Sequence, residues 1–130
     1  MSASPIPFQV PLYSLALFYL QIAEQWELTD DQAASLAGAA LDDIDALRVK
    51  NFGAITDDTR RRLGYLLAIY AALEHLLSDK RRRHRWIKAP NRHSLFEGAT
   101  ALDFMLGGDV ERIALVKRYL CVERWGNVAW

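Results

Sequence analysis

The side chains best suited to chemistry in this sequence are one cysteine, three histidines and a scatter of carboxylates. Cys121, His75, His84 and His93 share none of the close paired spacings by which Cys and His gather around zinc, so no metal site is expected. Glu97, Asp103, Asp109 and Glu111 could supply acid and base. Asp109, however, stands where a helix needs a cap, and Asp103 falls in a first helical turn, where the helix dipole favours a carboxylate. No glycine-rich phosphate loop, nucleophile elbow or paired-cysteine motif occurs. Cys121 lies on the apolar side of the last helix and reads as a small buried hydrophobe. The expectation is a protein that is not an enzyme and carries no cofactor.

If the chain does no chemistry, its elements must present surfaces. With 130 residues, 52% hydrophobic and 25% charged, the sequence falls in the ordinary globular range and can bury a core. The longest apolar run, around Leu15 to Leu20, is too short to span a bilayer. No basic residue precedes that run, so no secretory signal is expected. A lone cysteine suits a reducing compartment, and the expected address is the cytoplasm. The formal net charge of zero hides segregation. Residues 1–58 carry two basic against nine acidic side chains, a balance of −7, and residues 59–93 carry ten against two, or +8. Either opposite faces match, within the chain or between subunits, or a basic surface awaits an anionic partner.

Apolar spacing predicts an all-α fold. Pro5, Pro7 and Pro11 withhold backbone donors, so residues 1–11 read as a flexible arm. Leu12, Leu15, Ala16, Tyr19, Ile22, Ala23 and Trp26 follow a helical period. Thr29 and Gln32 form a capping-box pattern for a short helix that stops near Gly38, and Leu41 to Lys50 read as a third helix. A long helix from about Thr59 to Leu77 is apolar around much of its circumference, which makes it a central core helix, a dimer seam, or both. Farther on, Pro90-Asn91 biases the chain to turn. Thr100 caps a short helix carrying Leu102, Met105 and Leu106, which Gly107 or Gly108 ends by tolerating positive φ. Asp109 caps the last helix, with Ile113, Val116 and Leu120 in one stripe.

The stretch from Trp86 to Leu120 resembles the toxin-binding domain of the Xre/MbcA/ParS-type antitoxins. The likeness is carried by Trp86 before Pro90-Asn91, by Leu95-Phe96-Glu97-Gly98, by the run Ala101 to Leu106 with Gly108-Asp109, and by Val116 to Leu120. The order Trp26-x-Leu28-Thr29 with Ala33 and Leu36, followed by a long helix, resembles the amino-terminal half of the same antitoxins. The resemblance implies a helix-turn-helix-like helical bundle followed by a small helical toxin-binding domain, divided as arm 1–11, bundle 12–79 and toxin-binding domain with tail 80–130. It also implies an antitoxin of a type II toxin–antitoxin system, a homodimer or larger complex, whose cognate partner is a RES-domain toxin that consumes NAD. Inhibition would be by occlusion of the toxin's active site, with autoregulation of the operon through DNA binding. Trp86, Asn91, Phe96, Gly98, Met105 and Gly108 would shape the toxin-binding unit, while Arg124, Trp125 and Trp130 would approach the NAD pocket. A stand-alone helix-turn-helix transcription regulator, whose carboxyl-terminal unit only dimerises, is the alternative.

Three stretches stand apart from this picture. The third helix opens with Asp42-Asp43 and adds Asp45, and carboxylates facing phosphates repel. DNA contact would fall to Arg48, Lys50, Arg60, Arg61 and Arg62, or the fold persists as scaffold with little DNA affinity. The run Lys80 to Arg85 reads as a solvated connector, or else as a contact to nucleic-acid phosphate or to an acidic partner face. The final segment, Glu123 to Trp130, has too few periodic positions to fold by itself. Its two tryptophans either meet a partner or fold back onto the core.

Overall fold

A computed structural model describes residues 11–53, 55–107 and 109–126, the last four by backbone alone. Among them lie seven helices: α1 (Leu12–Gln25), α2 (Asp30–Ala37), α3 (Leu41–Arg48), α4 (Asp57–Leu76), α5 (Lys80–Lys88), α6 (Ala101–Leu106) and α7 (Val110–Gly126). The all-α expectation is met. The chain divides into two compact units, residues 1–68 and 69–130, with the division falling inside α4. The proposed arm lies almost wholly outside the described residues.

In the first unit, Leu15, Ala16, Tyr19 and Ile22 of α1 are buried at helical spacing, as are Ala33, Leu36 and Ala37 of α2 and Ile44 and Leu47 of α3. The predicted capping box is present: Thr29 Oγ1 accepts from the Gln32 amide at 3.1 Å, and the Gln32 side chain accepts from the Thr29 amide at 3.0 Å. Gly38 ends α2 in the left-handed region at φ 65°. A Cβ there would also come within 2.6 Å of the Arg62 side chain, which is held by Asp58 at 2.8 Å. Asp43 accepts from the Ala40 amide, so one of the three acids of α3 serves its amino terminus. That helix stops at Arg48, two residues before the expected end, and Lys50 leaves it at φ 62°.

Buried polar groups in this unit are satisfied. Tyr19 donates its hydroxyl to the Ala33 carbonyl, and burial pushes its phenol above the ordinary tyrosine range. Thr59, buried in the first turn of α4, donates to the Ala37 carbonyl at 2.7 Å, and its own amide donates to Thr56 Oγ1. Along α4, Leu63 and Leu66 are buried in this unit, and Ile69, Ala72 and Leu73, past the division, are buried as well.

Four readings are revised or narrowed in the second unit. The basic run is not a connector but the body of α5. Asp79 caps it by accepting from the Arg81 amide at 3.1 Å, Arg and Lys are good helix formers, and Ile87 anchors it in the core. Gly107 ends α6 with φ −78°, not in the left-handed region, and Gly108 lies outside the described residues. The last helix, capped by Asp109 through the Glu111 amide, continues through Glu123 to Gly126, so the start of the tail is helical; residues 127–130 lie outside the described residues. Cys121 is half-buried, less enclosed than its stripe suggested.

Two stability tests follow from the first unit. Replacing Gly38→Ala forces a Cβ into left-handed backbone and against Arg62, and should cost about 1–2 kcal/mol in urea unfolding. Because the folded state keeps Tyr19 protonated where the unfolded chain ionises, stability should fall as pH rises beyond about 10. Tyr19→Phe should lose about 1 kcal/mol at neutral pH and show a shallower alkaline decline in the same assay.

Candidate functional site

The second unit is assembled around one ring. Phe96, 1% exposed, makes edge contacts with Trp86 of α5 (5.8 Å between centroids), Phe104 of α6 (5.4 Å) and Tyr119 of α7 (6.0 Å). His93, at 6.4 Å from Phe96, lies only 4.4 Å from Tyr119, and Trp86 stacks nearly parallel to Tyr119. Perpendicular aromatic pairs set the positive edge of one ring against the negative face of another, which adds direction to hydrophobic burial. Arg112 lies over the outer face of Phe104 at 4.6 Å and donates to the Phe104 carbonyl.

The loop that delivers Phe96 is closed by its own backbone. Pro90 and Thr100 form an antiparallel bridge, and the Asn91 amide donates to the Ala99 carbonyl at 3.0 Å. Asn91 Oδ1 accepts from the His93 amide at 2.9 Å, the asparagine turn expected after proline. His93 Nδ1 accepts from the Leu95 amide at 3.1 Å, which requires the proton to sit on Nε2 when the ring is neutral. The return is made by Glu97 and Gly98 at φ 51° and 89°. Space around Gly98 is open, so glycine is required there by backbone conformation and not by crowding.

A groove of about 580 Å³ opens beside this loop. Trp86, Pro90, His93 and Tyr119 line it, with Arg82, Arg85 and Arg92 among its walls. Arg83 turns the other way and donates to the carbonyls of Leu77 and Ser78, closing the end of the preceding helix.

Of the residues singled out in the sequence, Trp86 and Phe96 are in direct contact, Asn91 and Gly98 shape the loop between them, and Met105 is buried in the core below. Gly108, Trp130 and the side chains of Arg124 and Trp125 lie outside the described residues. Sequence reasoning missed His93, Tyr119 and Arg92 as site residues, and read Arg82 and Arg85 as part of a solvated connector or, in the alternative, of a contact to phosphate or to an acidic partner face. Their meeting is tertiary, although an Asp79 cap before a run of good helix formers ending in Trp-Ile could have signalled α5.

The candidate DNA-contacting residues differ in what holds them. Arg48 is held by Asp30 at 2.7 Å and by Asp45 at 2.9 Å, and the bond to Asp30 chiefly raises its pKa. Lys50 lies 5.9 Å over the Tyr13 ring, Arg62 is bound to Asp58, and Arg60 and Arg61 are exposed on the first turns of α4.

Residues 72–126 match the family described as the antitoxin Xre/MbcA/ParS C-terminal toxin-binding domain, which covers α5, the loop, α6 and α7. The chain is also 36% identical over 108 residues to a protein of Sinorhizobium fredii (strain NBRC 101917 / NGR234) named uncharacterized protein y4oB, spanning 83% of this chain and 82% of that one. This chain belongs to the Xre/MbcA/ParS antitoxin family. Membership gives it an antitoxin role in a toxin–antitoxin system and a cognate toxin as partner. Among the described residues, no helix is long and apolar enough to cross a membrane.

If Phe96 is the keystone of this unit, Phe96→Ala should cost about 3–5 kcal/mol and Phe96→Leu distinctly less, read by urea unfolding of both variants.

Proposed function

We propose that this chain neutralises a RES-domain, NAD-consuming toxin by covering the entrance to its active site, acting in the cytoplasm as a homodimer or within a larger toxin–antitoxin complex. The observation that carries the reading is the family match over residues 72–126, the span held by the Phe96 cluster. In this reading the toxin-binding domain with its tail is 80–130, and the rigid loop of Asn91 to Gly98 presents a fixed surface whose ordering cost is met in the free protein. Trp86, Asn91, Phe96, Gly98, Met105 and Gly108 act by holding that surface. Arg124 and Trp125, in the last turn of α7, and Trp130 would approach the toxin's pocket: a guanidinium suits the phosphates of a dinucleotide pocket, and tryptophan is a frequent interface anchor.

The same proposal has residues 12–79 act as a helix-turn-helix-like bundle through which the complex represses its own operon. The capped α2, the Gly38 turn and α3 support it. Its basic residues, Arg48, Lys50, Arg60, Arg61 and Arg62, would act as positioning contacts to phosphate.

Co-expression with the toxin of the adjacent reading frame provides the test, with cellular NAD and co-purification as readouts. The full chain should co-purify with the toxin and preserve NAD. A chain cut before Glu123 should still co-purify but leave NAD falling. Full protection by the shortened chain removes the tail from the mechanism, and an intact chain that neither binds nor silences the toxin overturns the proposal.

A further inference from the structure

The charges at the start of α5 do not help it fold. Lys80–Lys88 holds six lysines and arginines and no acid in nine residues. Lys80, Arg81 and Arg82 occupy the first turn, where the helix dipole favours carboxylates and disfavours cations. Arg81 and Arg85 stand one turn apart as a like-charged pair, which destabilises a helix. All four of Lys80, Arg81, Arg82 and Arg85 are exposed, as is Arg92 on the neighbouring loop, and among the described residues no carboxylate pairs with any of them. Arg83, by contrast, has a structural task, bonding the Leu77 and Ser78 carbonyls.

We propose that the exposed face of α5, with Arg92 at the rim of the adjoining groove, is a docking surface for the phosphate backbone of duplex DNA. Charge density chooses this partner. An acidic protein face would have to match a nearly unbroken row of cations, whereas interface cores are depleted of charge. A duplex presents one negative charge per about 1.7 Å of axis, comparable to the spacing of charges along this helix. The arginines add planar forks that grip phosphate oxygens in pairs, and Arg92 extends the row past the end of α5. Such a surface fixes a protein on DNA without reading bases. It also compensates for α3, whose Asp42 and Asp45 are exposed and whose Arg48 is already engaged by two carboxylates. The inference rests on the DNA-binding part of the proposed function and is independent of its toxin part.

The test is fluorescence anisotropy of a mixed-sequence duplex of about 30 base pairs, several times the footprint of one helix, titrated with the full chain over a series of KCl concentrations. Two variants are compared, Arg81→Gln/Arg82→Gln/Arg85→Gln and Arg48→Gln/Lys50→Gln, with helix content checked by circular dichroism. Glutamine keeps helix propensity, so the triple variant should fold. It should bind at least about tenfold more weakly, with its salt slope reduced by about two to three, close to one for each phosphate no longer neutralised. The Arg48/Lys50 variant should also weaken binding, but by less than the triple variant, because Arg48 is already engaged by two carboxylates. If the triple variant keeps the affinity and slope of the parent, the inference fails while DNA binding stands. If the parent binds no duplex, both the inference and the DNA-binding reading fail. If the triple variant loses capture of the toxin while its DNA binding is unchanged, the surface belongs to an acidic protein and the inference is overturned.

Discussion

Burial of the Phe96 ring is the interaction on which the second unit depends. Short helices do not persist alone, because nucleation consumes most of what a few hydrogen bonds return. Here α5 has nine residues and α6 has six. What fixes them is a shared partner: Trp86, Phe104 and Tyr119, from three helices, each meet the same ring, and His93 closes the fourth side from the loop. Removing that ring would leave several aromatic faces without a neighbour at once. Aromatic contacts of this kind are directional, so the helices are held in orientation as well as in proximity.

The loop makes the arrangement possible by keeping its irregularity local. Between Pro90 and Thr100 the chain leaves α5, inserts Phe96 and returns, and its backbone bonds stay within the same few residues. Two consecutive residues with positive φ, Glu97 and Gly98, reverse the direction just after Phe96. Glu97 adopts this backbone without the freedom of glycine, at a strain of about 1 kcal/mol, and the burial of its neighbour Phe96 outweighs that. The outer residues of the loop, Asn91 to His93, are therefore presented by backbone that has little freedom left, as a recognition surface requires.

Much of the fold was legible because its signals are local. Thr29 with Gln32, Thr100 and Asp109 each cap the helix their spacing predicts, and Gly38 ends α2 as expected. Local reading failed where two local rules conflict. In α5, charge density points to a solvated connector while propensity and the Asp79 cap point to helix, and Ile87 decides the matter by burial. At the end of α6, Gly107 keeps a negative φ, and Gly108, the other candidate for positive φ, lies outside the described residues. The site itself was half legible. Trp86 and Phe96 are identifiable as types, but the meeting of His93 with Tyr119, distant in sequence, leaves no periodic trace.

The zero net charge describes neither half of this molecule. In the first unit the carboxylates are put to local use: Asp30 and Asp45 hold Arg48, Asp58 holds Arg62, and Asp43 serves an amide at the start of α3. Two of its five cations are thereby neutralised, and the remaining acids leave the unit anionic. In the second unit no comparable pairing reaches the exposed cations of α5 among the described residues. Salt screens exposed charges beyond about 8 Å, so only a carboxylate close to that patch could offset it. A polyanion approaching this chain meets attraction at α5 and repulsion at α3, although a molecule of this overall charge would be expected to ignore it. The first turn of α5 makes the same point from the folding side: cations there oppose the helix dipole by about 0.3–1 kcal/mol each, a cost that packing within the chain gives no reason to bear.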